Sequence, residues 1–185
     1  CIRDRPSSIE ELQSLIRFLN KSDIKYCVIG NGSNLLVSDK GIRGVVIQLS
    51  DTFDEVEYID DVTVKVMSGM MLSRLGNKLA DEGLAGFEFA TGIPGSVGGA
   101  VRMNAGAYGG EIKDIIVSAD VLDRSGRLIS LSRDELELGY RTSCIAANDY
   151  IVVSAVFRLQ KGDTDTIKAL IKELAVKRRT KQPLE

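Results

Sequence analysis

Three stretches of the chain combine residue types that could do chemistry. The longest runs from Gly83 to Glu111, where Gly92, Gly95, Gly98, Gly99, Gly106, Gly109 and Gly110 fall close together among alanines. Residues without a Cβ let another group lie against their backbone, and Pro94 stiffens the path between Gly92 and Gly95. Phe87, Phe89, Ile93, Val97, Val101 and Met103 are more apolar than a linker needs. The stretch is therefore expected to be an ordered loop whose backbone N–H groups face a ligand with many acceptors. The second is Gly30-Asn31-Gly32-Ser33-Asn34-Leu35. It follows a strand pattern, but Leu35, Leu36 and Val37 lead to the turn Ser38-Asp39-Lys40-Gly41 instead of a helix, which excludes a Rossmann fingerprint. A nest of N–H groups from Gly30 to Asn34 can hold phosphate without a helix; on the residues alone, a tight turn explains it equally well. The third is Gly139-Tyr140-Arg141-Thr142-Ser143, where Tyr140 and Arg141 together could bind an anion. On the residues alone, an arginine in a surface salt bridge is the better explanation.

Other chemistry is narrowed by composition. The chain has no histidine, which removes Ser-His-Asp and Cys-His nucleophile schemes. Cys1, Cys27 and Cys144 are odd in number and widely spaced, which speaks against a disulfide framework or a paired metal site and suits a reducing cytosol. Each is expected to be a small buried hydrophobe. The net charge of -2 gives no general attraction to nucleic acid or an anionic membrane, and no apolar run approaches the ~20 residues of a membrane helix. No obligate protein partner is indicated. The 185 residues suit one domain or two small lobes, and a start at Cys1 without Met suggests a fragment.

The elements that must position these stretches follow from periodicity. Ser7 and Ser8 with Glu10 and Glu11 form a capping-box pattern before a helix over 9–20, with Ile9, Leu12, Leu15, Ile16 and Leu19 on one face. Strands are expected at 25–29 and 45–49, at 53–58 and 62–67 around Asp60-Asp61, at 117–122 and 128–131 around Asp123–Gly126, and at 150–159. Leu72, Leu75 and Leu79 mark a helix ended by Gly83. Ser132 and Glu135 cap a short helical turn. Asp163, Thr164 and Asp165 precede a last helix with Ile167, Leu170, Ile171 and Leu174 on its apolar face. Lys177-Arg178-Arg179 are read as complementing its dipole.

The glycine stretch also carries a resemblance. Gly92-Ile93-Pro94-Gly95-Ser96-Val97-Gly98-Gly99-Ala100, followed by Asn104-Ala105-Gly106-Ala107-Tyr108-Gly109, resembles the flavin loop of the UDP-N-acetylenolpyruvoylglucosamine reductase family. That family has its flavin pyrophosphate loop where Gly30 to Leu35 stand, and a Tyr-Arg-x-Ser motif matched by Tyr140, Arg141 and Ser143; Ile145 stands where it often has Phe. Arg178-Arg179-Thr180-Lys181-Gln182-Pro183-Leu184 matches a further segment, beyond which the family continues into a substrate lobe.

The resemblance implies an α+β fold, the two-lobed FAD-binding domain of the vanillyl-alcohol-oxidase/PCMH type. The small lobe would be residues 1–50 and the larger one 51–185, with the C-terminal substrate lobe absent. The strand that usually precedes the first helix is expected to be missing. The implied cofactor is non-covalent FAD, with NADPH as co-substrate, a nucleotide sugar as substrate and the bacterial cytoplasm as location. The same resemblance assigns Gly30–Leu35 to the pyrophosphate, Gly92–Ala100 and Asn104–Ala107 to the flavin and its chain, Arg141 to catalysis and Tyr140 with Arg141 to substrate. Its proton-donating serine would lie outside this chain, so the fragment alone is expected to be inactive. Another FAD oxidoreductase of this fold, or a non-catalytic flavin-binding module, is the alternative reading. A covalent flavin would need a nucleophile such as His or Cys.

Overall fold

The computed structural model describes residues 2–181. Cys1, the Gln182–Leu184 part of the Arg-Arg-x-x-Gln-Pro-Leu match and Glu185 lie outside the described residues.

The chain opens with β1 (Ile2–Asp4), α1 (Ile9–Lys21), β2 (Tyr26–Ile29) and β3 (Val45–Gln48). These strands form an all-parallel sheet in the order β1-β3-β2. The expectation of a missing first strand is thus wrong. Three residues carry too little pattern to announce a strand, and β1 exists because the fully buried β3 offers it a parallel edge. The α1 cap divides between the two serines. Ser8 Oγ accepts from the Glu11 N–H at 3.2 Å, and the Glu11 carboxylate accepts from the Ser7 N–H at 2.6 Å. Leu12, Ile16 and Leu19 form its buried stripe.

The second sheet is antiparallel in the order β10-β9-β11-β5-β4. It comprises β4 (Val56–Tyr58), β5 (Thr63–Met67), β9 (Ile116–Leu122), β10 (Leu128–Ser132) and β11 (Ile151–Arg158). β4 starts later than the sequence suggests, because Asp51–Phe53 close a 3₁₀ turn that drives Phe53 fully into the core. Between β5 and β9 the chain forms α2 (Leu72–Asp81), β6 (Leu84–Ala85), α3 (Val97–Arg102) and the ribbon β7 (Gly106–Ala107) with β8 (Gly110–Glu111). The chain ends with α4 (Cys144–Ala147), ahead of β11, and then β12 (Gln160–Lys161) and α5 (Thr164–Lys181).

β11 serves two cores. A bulge between Val152 and Ser154 interrupts its alternation. Ile151 and Val153 therefore face α1, while Val152, Ala155 and Phe157 face the larger core with Leu75, Leu79 and Phe87. The apolar stripe of α1 packs with β3 and β11 residues in one core, and Gln13 Nε2 donates to the Gly126 carbonyl at 2.8 Å in the β9–β10 turn. The last helix departs from its expected face: Ile167 is buried, but Leu170 is 40% exposed. Ile171 and Leu174 are only half-buried, and Lys168 pairs with Asp81 at 2.6 Å on the surface.

Candidate functional site

Two cavities meet between the sheets. The first, about 580 Å³, lies against β2 and the start of β11, and includes Ser68, Gly98, Arg124 and Asp149 in its wall. The second, about 740 Å³, is walled by the Gly30–Leu35 segment, by Ile93–Ser96 and by Ala105–Tyr108, with Arg102, Arg141 and Arg178. Val28, Ile29, Gly30, Ser96, Gly99 and Arg102 line both, so the cavities join at a neck.

Sequence and packing explain the neck. Gly30 ends β2, and a Cβ on it would be driven into the Ser96 hydroxyl. Ser33 Oγ donates to the Pro94 carbonyl at 2.6 Å, tying one glycine segment to the other. Gly32 has φ +73°, with open space where a Cβ would stand. Backbone N–H groups of Asn31, Gly32, Ser33 and Asn34 find no acceptor among the described residues. They form a free donor set beside the neck.

The second glycine segment differs from expectation. It is not a loop throughout: Ser96 is the cap of α3, and the helix begins at Val97. The N–H groups expected to face a ligand are partly consumed inside the chain. Val97 N donates to Met70 O at 2.9 Å, Gly98 N to Ser68 O at 2.8 Å, Ala100 N to Ser96 O at 2.9 Å and Ala105 N to Ala100 O at 2.8 Å. Val97 is fully buried core. Gly95 and Ser96 keep N–H groups without an acceptor among the described residues. Gly92 is not in the cavity wall; it carries the stem of Arg178, whose Cδ lies 3.5 Å from where a Cβ would be.

Asn104 lies outside the cavity wall, and its side chain is spent on neighbouring segments. It is 3% exposed with φ +41°, and its amide donates to Glu111 at 2.8 Å and to Gly139 O at 2.9 Å while accepting from the Lys113 N–H at 2.9 Å. The Gly139 contact fixes the turn that carries Arg141, closed by paired Gly139–Thr142 bonds. Arg141 has φ +55°, a conformation costing roughly 1–2 kcal/mol for a residue with a Cβ, and lines the second cavity. Tyr140 does not join it: the side chain is 88% exposed and outside the cavity wall. Ser143 caps α4 and donates to Arg102 O at 2.6 Å. Lys113, then Asn104, hold the Glu111 carboxyl below its ordinary range, and Arg141 contributes.

Cys27 and Cys144 are quiet thiols. Burial pushes Cys144 up, with Glu137 and Glu135 adding to it, and burial alone pushes Cys27 up. Cys27 is only half-buried, because the first cavity lies against β2. Sequence reasoning missed that cavity altogether. Its signals are scattered over β2, α3 and β11, and Ser68-Gly69 reads locally as a mere break. It also missed Arg178 in the cavity wall, because a basic helix end has a local explanation.

Residues 3–132 match the family model described as an FAD binding domain. The chain belongs to the FAD binding domain family. It is 50% identical over 180 residues to the UDP-N-acetylenolpyruvoylglucosamine reductase of Clostridioides difficile (strain 630), covering 97% of this chain and 59% of that protein. The reductase of Clostridium tetani (strain Massachusetts / E88) is 51% identical, with 97% and 58% covered. The chain thus spans 59% of the length of the first of these curated relatives. Among solved structures, the reductase from Thermus caldophilus superposes with a TM-score of 0.84 at 32% identity, covering 99% of this chain and 64% of that one. Alkyldihydroxyacetonephosphate synthase superposes at 0.61 with 20% identity, covering 86% and 31%, a likeness of fold alone. The expected α+β flavin-binding architecture is therefore the one present.

Proposed function

We propose that this chain is the flavin-holding part of a UDP-N-acetylenolpyruvoylglucosamine reductase, with FAD bound non-covalently across the two cavities. The observation that carries the reading is the neck between Gly30 and Ser96, where the two cavities meet beside the free N–H groups of residues 31–34. A dinucleotide needs this shape: two chambers joined by a narrow, donor-rich passage for the diphosphate. The residues fit the group in two further ways. Three arginines and no carboxylate line the second cavity. The Ser68 hydroxyl, 2% exposed, has no partner among the described residues and belongs to the wall of the first.

In this reading Asn31–Asn34, Gly95 and Ser96 hold the diphosphate. Val28, Ile29 and Gly99 line the passage, and Ile93, Pro94, Ala100, Ala105, Gly106 and Ala107 wall the flavin ring. Bound FAD supplies a two-electron carrier that takes hydride from NADPH and returns it to a substrate. Arg141, preset by its turn, opposes the negative charge that develops on the substrate, a preorganised electrostatic role. Two hydroxyls in the second cavity wall are constrained: Ser33 donates to Pro94, and Ser96 is 4% exposed. The resemblance assigns the proton donor for the substrate carbon to the family's substrate lobe.

The wider reading is a cytoplasmic bacterial enzyme that uses NADPH to convert UDP-N-acetylglucosamine enolpyruvate to UDP-N-acetylmuramate for peptidoglycan. Its support is the name of relatives at 50% identity. Among the described residues no helix is long and apolar enough to cross a membrane.

The test is the visible spectrum of the purified chain after incubation with FAD and gel filtration. A retained flavin band that acid precipitation releases into the supernatant supports the reading. A protein that is folded by circular dichroism and elutes colourless contradicts it.

A further inference from the structure

The positive wall of the second cavity is unbalanced. Arg102 is partly occupied, donating to Ile145 O at 3.3 Å and lying 3.9 Å from Asp149. Arg141 and Arg178 form no ion pair among the described residues. Like charges walling one cavity raise its potential and favour an anion there.

The two guanidinium groups reach the cavity by independent routes. Arg141 stands on the 139–142 turn, which Asn104 anchors beside the 104–107 segment. Arg178 comes from the last turn of α5, and its stem crosses Gly92 at ordinary van der Waals distance. Any side chain larger than hydrogen at position 92 would meet that stem. The helix dipole accounts for a cation near this end, but not for its half-buried placement in a cavity wall.

We propose that Arg178 is an anion-binding residue of the second cavity, acting with Arg141 on a phosphate or carboxylate of the molecule that the flavin reduces. The proposal rests on the flavin reading of this site. The flavin diphosphate is the other anion within the cavities. It is assigned to the free N–H groups beside Ser33, whose hydroxyl bonds to Pro94 O next to Gly95, whereas the stem of Arg178 lies over Gly92, three residues before Gly95. A guanidinium fork there matches two oxygens of a phosphate or carboxylate at once, which a lysine cannot do.

The experiment uses the FAD-loaded chain. Inorganic pyrophosphate is titrated at constant ionic strength and followed by flavin absorbance for wild type, Arg178→Met and Arg178→Lys. FAD affinity and melting temperature are measured in parallel. The expected result is about tenfold weaker pyrophosphate binding in Arg178→Met and partial recovery in Arg178→Lys. FAD affinity should stay within about twofold and the melting temperature unchanged. The proposal is overturned if wild type binds no pyrophosphate, if Arg178→Met binds it as wild type does, or if FAD affinity falls in step. If no FAD loads, the flavin reading fails separately. Calorimetry of pyrophosphate with the flavin-free chain then decides Arg178: weaker binding in Arg178→Met supports it, equal binding overturns it.

Discussion

The Ser33 hydroxyl donates to the Pro94 carbonyl oxygen at 2.6 Å, joining two glycine-rich segments 61 residues apart. One segment follows β2 of the parallel sheet; the other leads into α3 beside the antiparallel sheet. This bond lies in the wall of the second cavity, beside the neck, so it ties together two walls of the proposed cofactor site.

Removing it should cost little stability and more affinity. Ser33 is exposed, so Ser33→Ala is expected to lower stability by ~0.5–1 kcal/mol. FAD affinity should fall further, because the cofactor must then order two separate loops. Chemical denaturation beside an FAD titration checks this. Unchanged affinity in a destabilised variant would mean that the two loops do not act together.

Gly30 should resist any side chain. A Cβ there runs into the Ser96 hydroxyl, with Ser96 Cβ at 3.2 Å. Gly30→Ala is expected to destabilise the fold by ~1–3 kcal/mol, as overpacking does, and to narrow the neck. Adding Ser96→Ala removes the opposing oxygen and should recover much of the loss. A double variant no better than the single one would place the damage elsewhere.

Arg141 carries backbone strain at the wall of the second cavity. Its φ of +55° suits glycine. Arg141→Gly should therefore melt no lower than wild type. The equivalent change in a full-length relative should slow substrate reduction roughly 10²–10³-fold while sparing flavin reduction by NADPH. Stopped-flow traces of the two half-reactions, with a melt of each variant, measure both effects. An unaltered substrate half-reaction would return Arg141 to the surface.

Asp120 makes the antiparallel sheet acid-sensitive. Burial alone would raise its carboxyl pKa, but hydrogen bonds from Lys65 at 2.7 Å and Ser154 at 2.9 Å, with Ser130, outweigh it and bring it below the ordinary 3.8. A folded value below the unfolded one gives stability that is present above 3.8 and lost as pH falls through the lower folded value. Urea midpoints from neutral pH into that window should fall for wild type and fall less steeply for Asp120→Asn. Parallel slopes would show that other carboxylates govern the acid limb.

What the sequence revealed follows the range of the forces involved. α1, with its serine cap and Leu12-Ile16-Leu19 stripe, was legible, as was the Asp123–Gly126 hairpin, because each is decided within a few residues. β1 was not, since Ile2–Asp4 become a strand only by pairing with β3 more than forty residues on. α3 was hidden for a related reason. Gly98 and Gly99 are poor helix formers, yet a Cβ at Gly98 would stand 2.9 Å from that of Ser68. The glycine that weakens the helix locally lets it pack on the end of β5. The same packing consumes N–H groups that the sequence offered to a ligand. The Gly30–Asn34 segment keeps the N–H groups of residues 31–34 free, as a nest would, although its residues alone fit a tight turn equally well. Arg178 and the first cavity were not legible, because both arise from contacts between distant elements.

The central claim is that one dinucleotide spans both cavities with its diphosphate at the Gly30–Ser96 neck. Calorimetric titration of the chain with FAD and with riboflavin, at low and high salt, tests it most directly. Riboflavin keeps the ring but lacks the diphosphate and the adenosine. The account predicts that FAD binds at least tenfold more tightly, an advantage of ~1.4 kcal/mol or more, and that salt erodes this advantage. Equal affinities, or a salt-independent difference, would contradict it.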